Sequence, residues 1–210
     1  MTIDILWILF IVSNFFLLGS SRLHTYIRVI SLQGFLLSVL PWFSEGPVSG
    51  HIVAMSLING STKGILFPWL LSQAIRRAEV RREIEPFIGY GSSLFIGLLG
   101  LLTSFWIGNR LIPPTATSVF TAAMALFTLF VGLFLIMSRR KAITQALGYL
   151  VMENGISILG MALLQHDPVV VELGILLDAF AAIFVMGIIM FHINQEFDHM
   201  DTDRLNQLKD

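Results

Sequence analysis

The sequence predicts an all-α protein, a polytopic bundle of about seven transmembrane helices. Composition is the first observation behind this prediction. Of the 210 residues, 55% are hydrophobic and only 13% are charged, whereas soluble domains carry about 25% charged residues. The second observation is that the charged residues cluster between long apolar runs. Both features are expected when lipid surrounds most of the chain.

Helices need about 20 residues to cross the hydrocarbon core of a bilayer, and the apolar runs have roughly this length. They cover residues 3–20, 23–43, 51–76, 86–108, 115–138, 142–165 and 169–193. Three runs have a proline near their start, where the missing N–H costs no hydrogen bond: Pro86, Pro114 and Pro168. Because Asp4 stands where a signal peptide would be basic, we expect the first run to be a retained helix.

We expect the protein to lie in the cell membrane, that is, the inner or cytoplasmic membrane. The placement of Lys and Arg predicts its orientation there. If the N-terminus lies outside, the C-terminus is cytoplasmic and the outer loops hold only Arg110. The cytoplasmic side, which includes the tail of residues 194–210, then holds the basic residues within or next to its loops: Arg22, Arg28, Arg76, Arg77, Arg81, Arg82, Arg139, Arg140, Lys141, Arg204 and Lys209.

Several classes of function are disfavoured by what the sequence lacks. The net charge of -1 provides no basic surface for nucleic acid. The chain has no cysteine, which excludes disulfides, cysteine-ligated metals and cysteine nucleophiles. It has no phosphate-binding glycine loop, HExxH motif or nucleophile elbow. We therefore expect no catalytic residue, no bound cofactor and no metal site in this chain.

Three ionisable residues fall near the middle of predicted spans: Lys63, Glu153 and Asp178. A charge at this depth costs several kcal/mol, so such residues face protein or water and are candidates for function. At a rise of 1.5 Å per residue, all three lie about 14–17 Å from a span end, at a common level. Lateral proton transfer requires such an arrangement. The alternative is a buried ion pair that only fixes helix packing.

The surroundings of Lys63 predict a helix break. Residues 59–64, with the sequence NGSTKG, are unusually polar for a span. Pro68 cannot donate a hydrogen bond to the carbonyl of Gly64, so the helix should open at this point. Opened backbone at membrane depth requires protein or water beside it. The alternative is an ordinary proline kink with glycines that allow close packing.

Two further residues are possible members of a proton path. The last two spans are joined by a short turn, so they should be antiparallel neighbours with Glu153 and Asp178 within reach of each other. Glu172 precedes Asp178 by about one and a half turns, where it could extend the path or lie at the membrane interface. His192 is the type of residue that titrates near neutral pH, and it too could be interfacial.

Four segments carry a resemblance to a known family. They are residues 62–68 (TKGILFP), 147–155 (LGYLVMENG), 171–179 (VELGILLDA) and 205–209 (LNQLK). With these segments, nearly the whole chain resembles hydrogenase-4 component E. The family implies a non-redox membrane subunit of a group 4 hydrogenase or a related complex-I-like oxidoreductase. The expected partners are antiporter-like and quinone-subunit-like membrane proteins and hydrogenase-type soluble subunits, in which the nickel-iron and iron-sulfur centres would lie.

The resemblance also implies a division of the chain. Residues 113–193 are similar to the three-helix K-type subunit of respiratory complex I and to the C subunit of multisubunit sodium/proton antiporters. Such subunits carry one intramembrane acid in each of two successive helices. Glu153 matches the first acid, and Asp178 stands where the K-type subunits usually have Glu. Residues 1–112 would form a four-helix part with Lys63 in a kinked helix, and residues 194–210 the cytoplasmic tail.

Three functions remain open from the sequence. The first is a subunit with Lys63, Glu153 and Asp178 in a path for H+ or Na+. The second is a structural subunit whose buried charges hold helices together. The third is an autonomous secondary transporter, although the sequence has no convincing inverted repeat of the kind that transporters show.

Overall fold

A computed structural model describes residues 2–43, 50–77, 86–111, 116–163 and Gly187. The first six predicted spans lie largely within these ranges. The seventh predicted span, residues 169–193, lies outside them apart from Gly187. The candidate residues Glu172, Asp178 and His192 and the tail, residues 194–210, also lie outside the described residues.

The described ranges contain helices and no strand element, which confirms the all-helical class for this part of the chain. The predicted third span is one continuous helical run whose middle turn has π geometry. The elements are α1 (Thr2–Gly19), α2 (Leu23–Val39), a 3-10 turn (Leu40–Phe43), α3 (Gly50–Ser61), a π segment (Thr62–Leu66), α4 (Phe67–Arg77), α5 (Tyr90–Leu111), α6 (Ala116–Ser138) and α7 (Ala142–Leu163). The count of seven spans and the orientation of the termini stay predictions.

Two described helical stretches are long and apolar enough to cross a membrane, namely Tyr90–Arg110 and Val119–Ser138. A shorter apolar stretch, Ile5–Gly19, belongs to α1. Large apolar side chains cover the outside of the bundle on several helices, among them Ile5, Ile8, Val12 and Phe16 on α1, Trp69 on α4, and Phe95, Leu98, Leu102 and Trp106 on α5. Soluble monomers rarely expose contiguous apolar surface of this extent, whereas it suits contact with lipid or with other membrane subunits.

The interior consists of two hydrophobic clusters with polar residues between them. One cluster joins the C-terminal half of α1 to the N-terminal half of α2 and to α4, α6 and α7, and includes Leu17, Ile27, Leu71, Val131 and Leu147. The other lies on the opposite halves of the same long helices, and includes Trp7, Phe10, Leu36, Met124 and Ile158. Between them lie buried polar residues of α1, α2, the π segment, α6 and α7, which we call the polar layer: Ser13, Asn14, Gln33, Lys63, Thr128, Glu153 and Asn154.

Glycines bring α6 and α7 into backbone contact. A Cβ atom on Gly132 would overlap the backbone of Met152, and one on Gly155 would overlap the backbone at Leu129. A Cβ on Gly148 would lie 3.0 Å from the amide nitrogen of Ile136. Small residues at such positions are the usual means by which membrane helices approach closely. This contact fixes α7, and therefore Glu153, against α6.

Candidate functional site

The centre of the polar layer is a buried ion pair between Lys63 and Glu153. The Nζ atom of Lys63 lies 2.7 Å from Oε1 of Glu153, and the two side chains are only 8% and 1% exposed. The pair joins the π segment to α7, which are far apart in the sequence. The Lys63 ammonium also donates a hydrogen bond of 3.1 Å to the hydroxyl of Ser157, one turn beyond Glu153. That hydroxyl in turn donates to the Glu153 carbonyl oxygen at 3.0 Å.

The π segment that carries Lys63 has a local cause in the sequence. Pro68 has no N–H to offer, so the ordinary hydrogen bond to the Gly64 carbonyl is missing. The backbone N–H of Phe67 instead reaches back to the carbonyl of Thr62, the five-residue spacing of a π turn. The Gly64 carbonyl accepts a hydrogen bond of 2.6 Å from the Ser31 hydroxyl on α2. A side chain from a neighbouring helix thus satisfies the backbone group that proline frees, as a nonpolar surrounding requires.

Glycine at position 34 lets α2 lie directly against the lysine. A Cβ atom on Gly34 would stand 2.8 Å from the Cβ of Lys63 and 2.9 Å from its backbone carbon. One turn along the same contact, a Cβ on Gly60 would stand 3.2 Å from the Cβ of Ser38. Any side chain at position 34 would therefore push the π segment away from α2. The close approach determines where the Lys63 ammonium can reach.

Beside the ion pair lies a network of neutral polar side chains, the amide cluster, which consists of Ser13, Asn14, Gln33, Thr128 and Asn154. The Gln33 amide donates to the Ser13 hydroxyl at 2.8 Å and to Oδ1 of Asn14 at 3.0 Å. Nδ2 of Asn14 donates to the Thr128 hydroxyl at 2.9 Å. Nδ2 of Asn154 donates to Oε1 of Gln33 at 3.4 Å. The cluster thereby connects α1, α2, α6 and α7 in the interior of the bundle.

The amide cluster was not predicted from the sequence, although the sequence contains a signal for it. Asn14 and Gln33 are carboxamides in the middle of otherwise apolar runs, and both are fully buried. Buried amides need hydrogen-bond partners, so each one predicts polar side chains on neighbouring helices. Which helices supply those side chains depends on how the helices pack.

Arg139 is the second feature that the sequence did not reveal. Positive charge at the turn between α6 and α7 predicts an exposed cytoplasmic loop, but the Arg139 side chain is fully buried. Its guanidinium donates to the carbonyl oxygen of Leu18 at 3.0 Å. It also lies 4.8 Å from the centre of the Tyr90 ring. Arg139 therefore holds the C-terminal end of α1, where the helix dipole is negative, against the start of α5.

The structure brings together two of the three principal candidates, Lys63 and Glu153. Gly64 lies within the π segment, and Pro68 follows it at the start of α4. The third principal candidate, Asp178, is outside the described residues, and its distance from the pair stays a prediction. Within the described ranges, no group of three or more His, Cys, Asp or Glu residues is arranged to hold a metal ion.

The model of the NADH-ubiquinone/plastoquinone oxidoreductase chain 4L family matches residues 118–210. The match includes α6 from residue 118 onward, all of α7 with Glu153, and the predicted last span. Lys63, Gln33 and the rest of the first four predicted spans lie before it. The charged partner of Glu153 is thus contributed from outside the segment that resembles chain 4L.

Comparison with curated proteins extends the likeness over most of the chain. An uncharacterized protein of Mycobacterium tuberculosis is 29% identical over 193 residues, which cover 90% of this chain and 87% of that protein. Hydrogenase-4 component E of Escherichia coli K12 is 30% identical over 149 residues, 70% of this chain and 69% of its own length. The component E proteins of Escherichia coli O157:H7 and Shigella flexneri match to the same extent. No solved structure gives a significant match. The chain belongs to the hydrogenase-4 component E family.

Proposed function

We propose that this protein is a non-redox membrane subunit of a group 4 hydrogenase or a related complex-I-like oxidoreductase, and that its buried charges belong to the path of the translocated H+ or Na+. Membership of the component E family supports the first half of the proposal. The observation that carries the second half is the Lys63–Glu153 ion pair in the interior of a helical bundle with apolar outer surfaces.

The chemistry of the pair suits a site that changes its charge. In a nonpolar interior, the attraction between an ammonium and a carboxylate in contact is far stronger than in water. A proton that neutralises Glu153 would remove the negative charge that Lys63 contacts, and a displacement of Lys63 would favour proton uptake by Glu153. Protonation at one residue and position of the other are therefore coupled. An adjacent subunit that attracts or repels the ammonium could use this coupling to drive proton movement.

The proposal extends to residues outside the described ranges. Asp178 would be the second acid of the path, on the seventh predicted span beside α7, with Glu172 and His192 as possible extensions. Residues 1–112 and 113–193 would form the four-helix part and the three-helix unit of a multi-pass protein in the cell membrane, with a cytoplasmic tail. The partners would be antiporter-like and quinone-subunit-like membrane proteins and hydrogenase-type soluble subunits that hold the metal centres.

The Glu153→Gln variant, studied in the intact complex, tests the proposal. Glutamine keeps the size of the side chain and an oxygen that accepts from Lys63, but it cannot carry a proton. We expect normal assembly and a loss of ion translocation of about 100-fold, the scale on which a positioned proton-transfer group contributes. Asp178→Asn should show the same selective loss. Arg110→Met is the matched control, because Arg110 is an exposed cation stacked on Trp106.

Assembly of the Glu153→Gln complex and transport by the purified chain distinguish the two other functions. If Glu153→Gln complexes assemble poorly, yet each assembled complex translocates ions at the parental rate, the subunit is structural. If the purified chain moves ions across liposomes without any partner subunit, it is an autonomous transporter. Copurification with hydrogenase-type or oxidoreductase subunits is the expected result for the proposed role.

A further inference from the structure

The amide cluster points to a second role in the polar layer, beside the ion pair. We propose that Gln33 is a positioning residue that sets the separation of Lys63 and Glu153 by holding helices α2 and α7 in register. Its consequence for ion translocation rests on the function proposed above. The structural part of the proposal is that the surroundings of the Glu153 carboxylate depend on Gln33, and this can be measured without measuring ion translocation.

Gln33 uses its whole side chain to join three helices. Its amide nitrogen donates to Ser13 and Asn14 on α1, and its amide oxygen accepts from Asn154 on α7. Both N–H bonds and the carbonyl oxygen are thus engaged, and Gln33 is fully buried. Since an unsatisfied buried amide is costly, the three helices are held in the one arrangement that serves all of these bonds.

On α2, the residues around Gln33 hold the lysine. The next residue, Gly34, lies against the backbone of Lys63. Ser31, two residues earlier, donates to the Gly64 carbonyl in the π segment. The position of the lysine backbone is therefore tied to α2 on both sides of Gln33.

On α7, the residue bonded to Gln33 is the sequence neighbour of the acid. Asn154 follows Glu153 directly, so a shift or rotation of α7 that lengthened the Asn154–Gln33 bond would also move the carboxylate. The ion pair is in contact at 2.7 Å, and a displacement of about 1 Å is enough to loosen a preorganised site. Gln33 is therefore linked to both members of the pair: its neighbour Gly34 lies against Lys63, and its partner Asn154 is the neighbour of Glu153.

The test compares Gln33→Met with Ser104→Ala in the purified complex. Methionine has nearly the size of glutamine but makes none of its three hydrogen bonds. The Ser104 hydroxyl is also buried, but it donates to the Gly100 carbonyl of its own helix, which makes it the matched control. The first readout is the infrared carboxyl band of Glu153, identified by its loss in Glu153→Gln. The second is the number of ions moved per electron pair.

We expect the Glu153 band to shift in Gln33→Met and to stay unchanged in Ser104→Ala. The number of ions moved per electron pair should fall about threefold or more in Gln33→Met alone, as for residues coupled within one hydrogen-bond network. Asn154→Ala removes only the bond between α2 and α7. It should shift the Glu153 band in the same direction but by less, and it replaces Gln33→Met in the test if that variant does not assemble.

The inference is wrong if the Glu153 band in Gln33→Met matches that of the parent. If Gln33→Met does not assemble, the same comparison is made with Asn154→Ala. The inference is also wrong if the band moves equally in Ser104→Ala, since any buried polar change would then have the effect. If the band shifts as expected but Glu153→Gln translocates normally, the positioning role stands and the proposed proton path is refuted. The two failures are therefore distinguishable.

Discussion

The ion pair and the amide cluster lie side by side in one polar layer and differ in what a change of charge would do to them. The amide cluster consists of carboxamides and hydroxyls, none of which gains or loses a proton near neutral pH. Its hydrogen bonds therefore do not depend on a change of protonation within the cluster. The ion pair holds two groups whose charge–charge attraction disappears when either loses its charge. The neutral amide cluster can therefore hold the helices in place while the charge of the neighbouring ion pair changes.

The largest expected effect comes from removing the two charges of the ion pair singly and together, which tests whether the pair differs from the amide cluster in its contribution to stability. Lys63→Met or Glu153→Met alone removes the contact partner of the other buried charge, so we expect the free energy of unfolding to fall by about 3–5 kcal/mol. The double variant leaves no charge, and its stability should return to within about 1 kcal/mol of the parent, or exceed it, because apolar replacements of buried ion pairs are often neutral or stabilising. Thermal unfolding of the purified protein measures both.

This result would show that the pair is maintained for function, because the double variant should be stable yet unable to translocate ions. A double variant as unstable as the sum of the single variants would contradict the comparison. The pair would then hold the helices together as the amide cluster does, and the structural alternative would gain support.

Gly34→Ala should have an intermediate effect and act mainly on the ion-pair side. The added methyl group would stand 2.8 Å from the Cβ of Lys63, so α2 and the π segment must move apart. We expect a loss of about 1–3 kcal/mol in stability, typical of overpacking, and weaker coupling of ion movement to electron transfer. Gly91→Ala in α5 is the control, because nothing lies within 4 Å of its added Cβ. It should be neutral or stabilising by up to about 1 kcal/mol, as alanine favours helix.

The smallest expected effect is that of Ser31→Ala. It removes the hydrogen bond of 2.6 Å to the Gly64 carbonyl and leaves a backbone acceptor of the π segment unsatisfied. The loss in the free energy of unfolding should be about 1 kcal/mol. Ser72→Ala, whose hydroxyl bonds within its own helix to Trp69, should change stability by less than about 0.5 kcal/mol. If the two variants do not differ in thermal unfolding, the α2 contact does not stabilise the π segment.

Local features of the site followed from the sequence because they have local causes. Pro68 lacks an N–H wherever the helix packs, so an interrupted hydrogen-bond pattern near Gly64 was predictable, and a π segment lies there. Helices α1, α2 and α5 to α7 were likewise predictable as apolar runs of suitable length, because helix length is set by the thickness of the lipid.

The parts that the sequence did not predict depend on contacts between distant segments. Gln33 and Asn14 were visible as polar residues in apolar runs, but their partners come from four helices that sequence periodicity cannot place in order. Arg139 was assigned to an exposed loop because basic residues at span ends usually are. The buried guanidinium is satisfied by the carbonyl oxygen of Leu18 on another helix, a partner that the sequence around Arg139 does not indicate.

The sequence by itself determined the helical class, the interrupted helix at Gly64 and Pro68, and the candidacy of Lys63 and Glu153. Each of these follows from the chemistry of a short segment, since apolar length, a missing N–H and a charge in an apolar run are properties of the segment alone. Only the tertiary structure decided that Lys63 meets Glu153 and that Gln33 lies beside them. Glycines at positions 34, 132 and 155 let the backbones approach closely, and such approach distances belong to pairs of helices that no single segment encodes.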